Sequence, residues 1–206
     1  GKGAVVLRAE EGGFDNILLP SGYQLGLDTT VFAAAVATQV QRMKLLWATR
    51  IGEDWPPQLA RRIATLDRIL GPNAAGTGGR LNVNIISSDM PGQQLAGGPR
   101  YARATEVIKI VRTLLNGEAL DHDGEFYQLK LEPPRIATLS GKCPPFYFGG
   151  LSHEARECAA EGCDVYLMWP DTMDKVRETI ADMRERAARF GRTLKFGYRV
   201  HVIVRE

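Results

Sequence analysis

A glycine pair followed by a serine ends a short apolar stretch in the second half of the chain, within residues 144–153. Ser152 has the side chain of a good helix N-cap, and Glu154 places a carboxylate in the first turn of the helix that would follow. Gly149 and Gly150 let the backbone approach a ligand, and backbone N–H groups at a helix N-terminus bind phosphate. The stretch therefore predicts a phosphate site, although an ordinary strand-to-helix turn uses the same residue types.

A second candidate site lies near the end of the chain, where residues 194–205 are predicted to form a strand. Because side chains alternate along a strand, the even positions form an apolar face, while Arg199 and His201 share the other face. An unpaired charge inside a covered parallel sheet is costly. An anionic ligand explains Arg199 and His201 better than packing does. The alternative is a sheet with one face in water, where both side chains would be solvated.

The elements that must position these sites alternate between strands and helices. Six strands are predicted, at residues 14–19, 43–49, 81–86, around Phe146, at 163–169 and at 194–205. Helices are predicted at residues 2–11, 28–41, from Pro56 to about Ile69, at 101–116, from Ser152 to Gly162, and from Asp171 to Gly191. A hairpin is predicted around Asp123 and Gly124, and a mobile loop at residues 71–79.

Strands separated by helices of this length indicate βα units, a parallel sheet and the α/β class. Two architectures fit this class, an open doubly wound sheet and a (β/α)₈ barrel. The first βα turn lacks a Gly-x-Gly-x-x-Gly fingerprint, and the phosphate-like turn comes late in the chain, which favours the barrel. Six predicted strands are two fewer than a barrel requires.

Two helices receive more specific predictions. Asp28 is predicted to cap a helix whose buried face includes Val31, Ala34, Ala35 and Thr38. Asp171 is predicted to cap a long helix whose buried positions are Met173, Val176, Ile180, Met183 and Ala187.

Composition narrows the class of protein. The 206 residues are 44% hydrophobic and 24% charged, with a net charge of +2, and the basic residues are scattered. Nothing favours binding to nucleic acid or to a membrane surface, and neither a transmembrane segment nor a secretory signal is present, so a cytoplasmic location is the expectation. Cys143, Cys158 and Cys163 have no metal-ligand spacing, so free thiols and no metal site are expected.

Taken together, several stretches resemble the bacterial luciferase-like flavin monooxygenases, and among these the alkanesulfonate monooxygenase group most closely. They are residues 64–68, 79–89, 99–101, 144–152, 164–169 and 196–206, in the same order as in the family. The resemblance covers nearly the whole chain. It implies a TIM barrel in which residues 1–206 form a single domain that begins after the first strand and stops before the eighth.

The resemblance also implies a chemistry. Such enzymes take reduced FMN from a separate NAD(P)H:FMN reductase and use O₂ to oxygenate a small organic substrate. In the alkanesulfonate group the products are an aldehyde and sulfite. The implied flavin contacts are Asn84, Ser87, Ser88, Arg100, Tyr101, Gly150, Leu151 and Ser152. The implied catalytic residues at the sulfonate end are Arg199 and His201, and Arg50, Trp169 and Arg199 are the candidates for substrate binding.

One segment departs from the family pattern and leaves the substrate open. The alkanesulfonate enzymes carry an active-site cysteine after a stretch matching residues 20–22, where this chain continues with Tyr23. Two alternatives therefore stay open, a deazaflavin (F420)-dependent oxidoreductase of the same superfamily and a non-catalytic or truncated flavin-binding relative. A homodimer or homotetramer is expected because such assemblies are common in the family.

Overall fold

The computed structural model describes residues 2–88 and 90–200. The helices in this part of the chain are α1 (Lys2–Glu11), α2 (Thr29–Ala37), α3 (Pro56–Leu70), α4 (Gly97–Leu115), α5 (His153–Gly162) and α6 (Met173–Arg189). The strands are β1 (Asn16–Leu19), β2 (Lys44–Arg50), β3 (Leu81–Ile86), β4 (Leu120–Asp123), β5 (Gln128–Leu131), β6 (Phe146–Phe148), β7 (Val165–Met168) and β8 (Lys195–Tyr198). The predicted alternation of strands and helices is confirmed, and residues 201–205 of the predicted last strand lie outside the described residues.

Six of the described strands form one parallel sheet in the order β1-β2-β3-β6-β7-β8. Leu18 on the first strand and Arg199 just after the last strand line the same cavity. The sheet therefore curls until its two edges approach one space. This curled half-barrel confirms the predicted α/β class and the barrel over the open sheet.

The two faces of the sheet differ in chemistry. Trp47, Val83 and Phe146 are register partners on neighbouring strands, and all three are buried in the core between the sheet and the helices. Full burial of one such large apolar side chain contributes about 1.5–3 kcal/mol. One residue further along, Ala48 pairs with Asn84, and both face the opposite side, where the cavity lies. The outer face thus builds the core, and the inner face carries the polar groups.

The predicted buried face of α2 is wrong. Asp28 does cap the helix, because its carboxylate accepts a hydrogen bond of 2.8 Å from the N–H of Val31. The side chain of Val31 is nevertheless 70% exposed, and the buried residues are Thr29, Ala33, Val36 and Ala37. The apolar residues of α2 lie on all sides of the helix, so helical spacing alone does not show which face is buried.

The predicted cap of α6 is also wrong by one residue. Thr172 is the N-cap, and its hydroxyl accepts a hydrogen bond of 3.4 Å from the N–H of Lys175. Asp171 instead accepts a bond of 2.8 Å from the N–H of Thr172. Met173 is 66% exposed because it lies in the first turn, whereas Met183 is buried as predicted.

The predicted hairpin is confirmed as the antiparallel pair β4–β5. Glu106 of α4 anchors its turn, since the carboxylate accepts hydrogen bonds from the N–H groups of Glu125 at 2.8 Å and Tyr127 at 3.1 Å. The loop at residues 71–79 is closed by an antiparallel bridge between Pro72 and Gly79. Both segments lie outside the sheet and leave its inner face free.

Candidate active site

A cavity of about 330 Å³ lies at the carboxyl ends of the sheet strands. Its volume falls in the range of small-molecule sites. It is lined by Leu18, Pro20, Ser21, Ala48, Asn84, Ile85, Ile86, Ser87, Ser88, Tyr101, Phe148, Gly149, Leu167, Trp169 and Arg199. The carboxyl end of a barrel's strands is where active sites are built, because the βα loops converge there.

The turn from β6 to α5 forms one end of the site. The hydroxyl of Ser152 accepts a hydrogen bond of 3.2 Å from the N–H of Ala155, so Ser152 caps α5 as predicted. Both glycines are needed for packing. A methyl group on Gly149 would lie 2.9 Å from the carbonyl oxygen of Leu167, and one on Gly150 would lie 2.6 Å from the Cβ of Ala155.

The start of α5 favours negative charge. Its own backbone N–H, together with the hydroxyl of Ser152, holds the pKa of Glu154 below the ordinary value of a glutamate. The N-terminal end of a helix carries partial positive charge and stabilises anions. Tyr166 holds this turn in place, because its hydroxyl donates a hydrogen bond of 2.5 Å to the carbonyl of Gly150. This hydrogen bond supports the glycine turn that precedes α5.

Another wall of the site is built by β3 and the start of α4. Asn84 is buried and lines the cavity. Ser87 donates a hydrogen bond of 3.2 Å to the carbonyl of Arg100. Tyr101 stands edge-on to Phe148, with ring centres 6.2 Å apart. This wall combines an aromatic surface with an amide side chain, which suits a planar heterocycle.

The cavity also carries a cation. Arg199 follows β8, and its guanidinium lies over the ring of Trp169 with its central carbon 4.9 Å from the ring centroid. Both side chains line the cavity. The alternation of side chains along the last strand thus correctly placed Arg199 on the inner face. His201 lies outside the described residues.

Other predicted site residues lie beside the cavity and do not line it. Arg50 contacts the hydroxyl of Ser88, which lines the cavity, and its Nε lies 3.4 Å from Glu53. Arg100 lies over the ring of Tyr101 at 5.3 Å. Gly150, Leu151 and Ser152 adjoin the lining residue Gly149, and Leu151 is 68% exposed.

Several lining residues were not predicted from the sequence. Leu18 and Ser21 belong to the end of β1 and the loop after it, and Leu167 belongs to β7. Their position at the carboxyl ends of parallel strands is the signal that could have identified them. Trp55 does not line the cavity, and its ring stands edge-on to Tyr127 with centroids 5.4 Å apart.

The cysteines do not take part in the site. All three are free thiols, and burial raises the pKa of Cys143 to about 12 and that of Cys158 to about 11. Thiols of such high pKa are poor nucleophiles at neutral pH. Across residues 2–88 and 90–200, no three metal-ligating side chains group together, and no helix is long and apolar enough to cross a membrane.

The fold and the cavity define an α/β barrel-type protein with its site at the carboxyl ends of the strands. The chain belongs to the luciferase-like monooxygenase family, whose sequence model matches residues 3–206. Sulfoquinovose monooxygenase of Novosphingobium aromaticivorans is 85% identical over 202 residues, which are 98% of this chain and 56% of that protein. The sulfoquinovose monooxygenase of Agrobacterium fabrum is 47% identical over 205 residues, or 98% of this chain and 51% of that protein. The chain thus spans about half the length of these curated relatives.

Solved structures share the fold at low sequence identity. EDTA monooxygenase from Chelativorans sp. BNC1 superposes with a TM-score of 0.80 at 20% identity, covering 96% of this chain and 55% of that one. The oxygenating constituent of 3,6-diketocamphane monooxygenase from Pseudomonas putida, solved in complex with FMN, gives a TM-score of 0.75 at 18% identity, covering 95% and 59%. These similarities confirm the luciferase-like barrel fold predicted from the sequence.

Proposed function

We propose that this protein is the sulfonate-cleaving component of a two-component monooxygenase that uses reduced FMN and O₂. The observation that carries the proposal is one cavity lined both by Arg199 and by Gly149, which begins the turn that leads to Ser152 at the start of α5. A flavin phosphate and a sulfonate are both anions, and a helix N-terminus suits the first while an arginine suits the second. The names of the two sulfoquinovose monooxygenase relatives support the same assignment.

Reduced FMN fits the residues present. The start of α5 and Ser152 would hold the phosphate, with Arg100 nearby, and the wall of Asn84 and Tyr101 would lie against the ring system. Asn84 supports this fit, because it lines the cavity and its carboxamide can donate or accept a hydrogen bond at a ring heteroatom. When bound, the reduced flavin supplies two electrons and activates O₂. The chain supplies binding, orientation and exclusion of water.

The proposed substrate is sulfoquinovose, a sugar with a sulfonated CH₂ group, rather than a simple alkanesulfonate. Arg199 would donate N–H groups to the sulfonate oxygens, because its planar fork matches an oxyanion and remains charged at neutral pH. His201 is proposed to share this end of the site. In the overall reaction the C–S bond breaks and a C=O bond forms. One oxygen atom of O₂ enters the aldehyde, the other leaves as water, and sulfite departs.

Several wider features belong to the same proposal. The reduced FMN would come from a separate NAD(P)H:FMN reductase, and the protein would act in the cytoplasm as a homodimer or homotetramer. Arg50 is retained as a second candidate anion contact because it reaches Ser88 on the cavity wall.

The direct test is sulfite release by the intact protein supplied with a flavin reductase, NADPH, FMN and sulfoquinovose. Arg199→Ala should reduce sulfite release at least about 100-fold, equivalent to about 2.7 kcal/mol of transition-state stabilisation, and leave FMN affinity nearly unchanged. Arg184→Ala is the matched control, because Arg184 also lies over an aromatic ring, that of Phe196, but does not line the cavity. Sulfite release by Arg199→Ala at the wild-type rate would refute the role of Arg199.

A further inference from the structure

Arg199 and Trp169 form a stacked pair at the ends of adjacent strands. The guanidinium carbon lies 4.9 Å from the indole centroid. Trp169 is 54% exposed and lines the cavity with Arg199. No carboxylate of residues 2–88 or 90–200 forms an ion pair with Arg199. Arg199 thus contacts a neutral aromatic ring, and its positive charge remains available to an anion.

Backbone contacts hold the two segments that carry this pair. The N–H of Arg199 donates a hydrogen bond of 3.0 Å to the carbonyl of Met168, the residue before Trp169. On the next loop, the hydroxyl of Tyr198 accepts from the N–H of Asp171 and donates to its carbonyl, both at 3.3 Å. The tryptophan and the arginine are therefore fixed relative to each other through their own backbones.

We propose that Trp169 is a positioning residue that acts through Arg199. Its indole covers one face of the guanidinium, so the N–H edge of Arg199 is the part left to donate to a sulfonate. A free arginine side chain samples many rotamers, and ordering it costs conformational entropy at the moment of binding. Stacking on a fixed ring removes much of that cost before the substrate arrives. This inference rests on the proposed function, because it assigns a role at the same sulfonate end.

The stacking makes a specific kinetic prediction. Trp169→Ala should raise KM for sulfoquinovose about tenfold, with a smaller change in kcat and no change in FMN affinity, because the lost pre-organisation affects substrate binding. Trp169→Phe keeps an aromatic face and should recover part of the loss. Trp55→Ala is the control, since Trp55 is also exposed and contacts another side chain, the ring of Tyr127, but does not line the cavity.

A double-mutant cycle separates positioning from direct contact. In the background of Arg199→Lys, whose ammonium lacks the planar stacking surface, Trp169→Ala should cost less than twofold in kcat/KM. An undiminished tenfold cost in that background would show that Trp169 acts on the substrate directly and would overturn the inference. An active wild type with an unaffected Trp169→Ala variant would also overturn it. A wild type that releases no sulfite would instead refute the proposed function, and this inference with it.

Discussion

At the scale of single residues, Ser152 has two separable roles in this account. Its hydroxyl caps α5 through the N–H of Ala155, and it lies where a flavin phosphate is proposed to bind. Aspartate caps helices about as well as serine, so a substitution to aspartate keeps the first role and opposes the second with a negative charge.

Ser152→Asp should therefore weaken binding of reduced FMN at least about 30-fold, or about 2 kcal/mol, because the carboxylate repels the phosphate. The affinity for riboflavin, which lacks the phosphate, should change less than threefold. Anaerobic fluorescence titration of both ligands measures the difference. Thr172→Asp is the control, because Thr172 caps α6 in the same way at a helix away from the cavity. Equal losses for FMN and riboflavin would indicate a distorted turn instead of a phosphate site.

Two residues of the candidate site were predicted from local patterns in the sequence that the structure confirms. Arg199 was placed by strand alternation, and Ser152 by the chemistry of helix caps, both of which depend on local geometry. Leu18 and Leu167 were not identified, because an apolar residue on a strand looks the same whether it faces the core or a cavity. The edge-on contact of Trp55 with Tyr127 joins residues distant in sequence, and no local pattern encodes it.

At the scale of elements, α5 is held in place by an ion-pair network with α6. Asp182 of α6 accepts hydrogen bonds from Arg156 at 2.7 Å and from Arg186 at 2.8 Å. Burial alone would raise the pKa of Asp182, but the bonds from Arg156 and Arg186 outweigh it, and the pKa lies below the ordinary aspartate value. A lowered carboxyl pKa means that ionisation stabilises the folded state. The stabilisation is full above the unfolded pKa of about 3.9 and is lost as pH falls through the lower folded value.

Asp182→Asn should therefore lower the free energy of unfolding by about 1 kcal/mol at pH 7, and by less as the pH falls below about 4. Urea denaturation at several pH values measures this change. Asp174→Asn is the control on the same helix, because Asp174 also pairs with an arginine, Arg177 at 2.5 Å, but is 87% exposed. Its effect should stay within about 0.5 kcal/mol. A loss for Asp182→Asn that is independent of pH would contradict the electrostatic explanation.

Element boundaries show where local signals are sufficient. The sequence predicted β3 at residues 81–86 as observed, where a glycine-rich segment precedes a stretch rich in leucine, valine and isoleucine. The sequence did not predict which face of α2 is buried, because alanine and valine lie on all sides of that helix. Only tertiary packing selects the buried side. The sequence also misplaced the cap of α6, where Asp171 and Thr172 are adjacent and both residue types are good caps.

At the scale of the whole molecule, the curl of the sheet creates the site. Residues from β1, β3 and β7 line one cavity although they are far apart in sequence. The order of strands and helices predicted a parallel sheet, but sheet curvature is a property of all strands together and is not encoded in any one of them. The barrel was predicted from the resemblance to the luciferase-like family, and the curled half-barrel confirms that prediction.

The central claim is that this cavity binds reduced FMN with its phosphate at the start of α5. The most direct test is an anaerobic titration of the intact protein with reduced and with oxidised FMN, followed by flavin fluorescence. We expect saturable binding of one reduced FMN per site, tighter than that of oxidised FMN. Binding of neither form, or binding of the deazaflavin F420 in place of FMN, would contradict it.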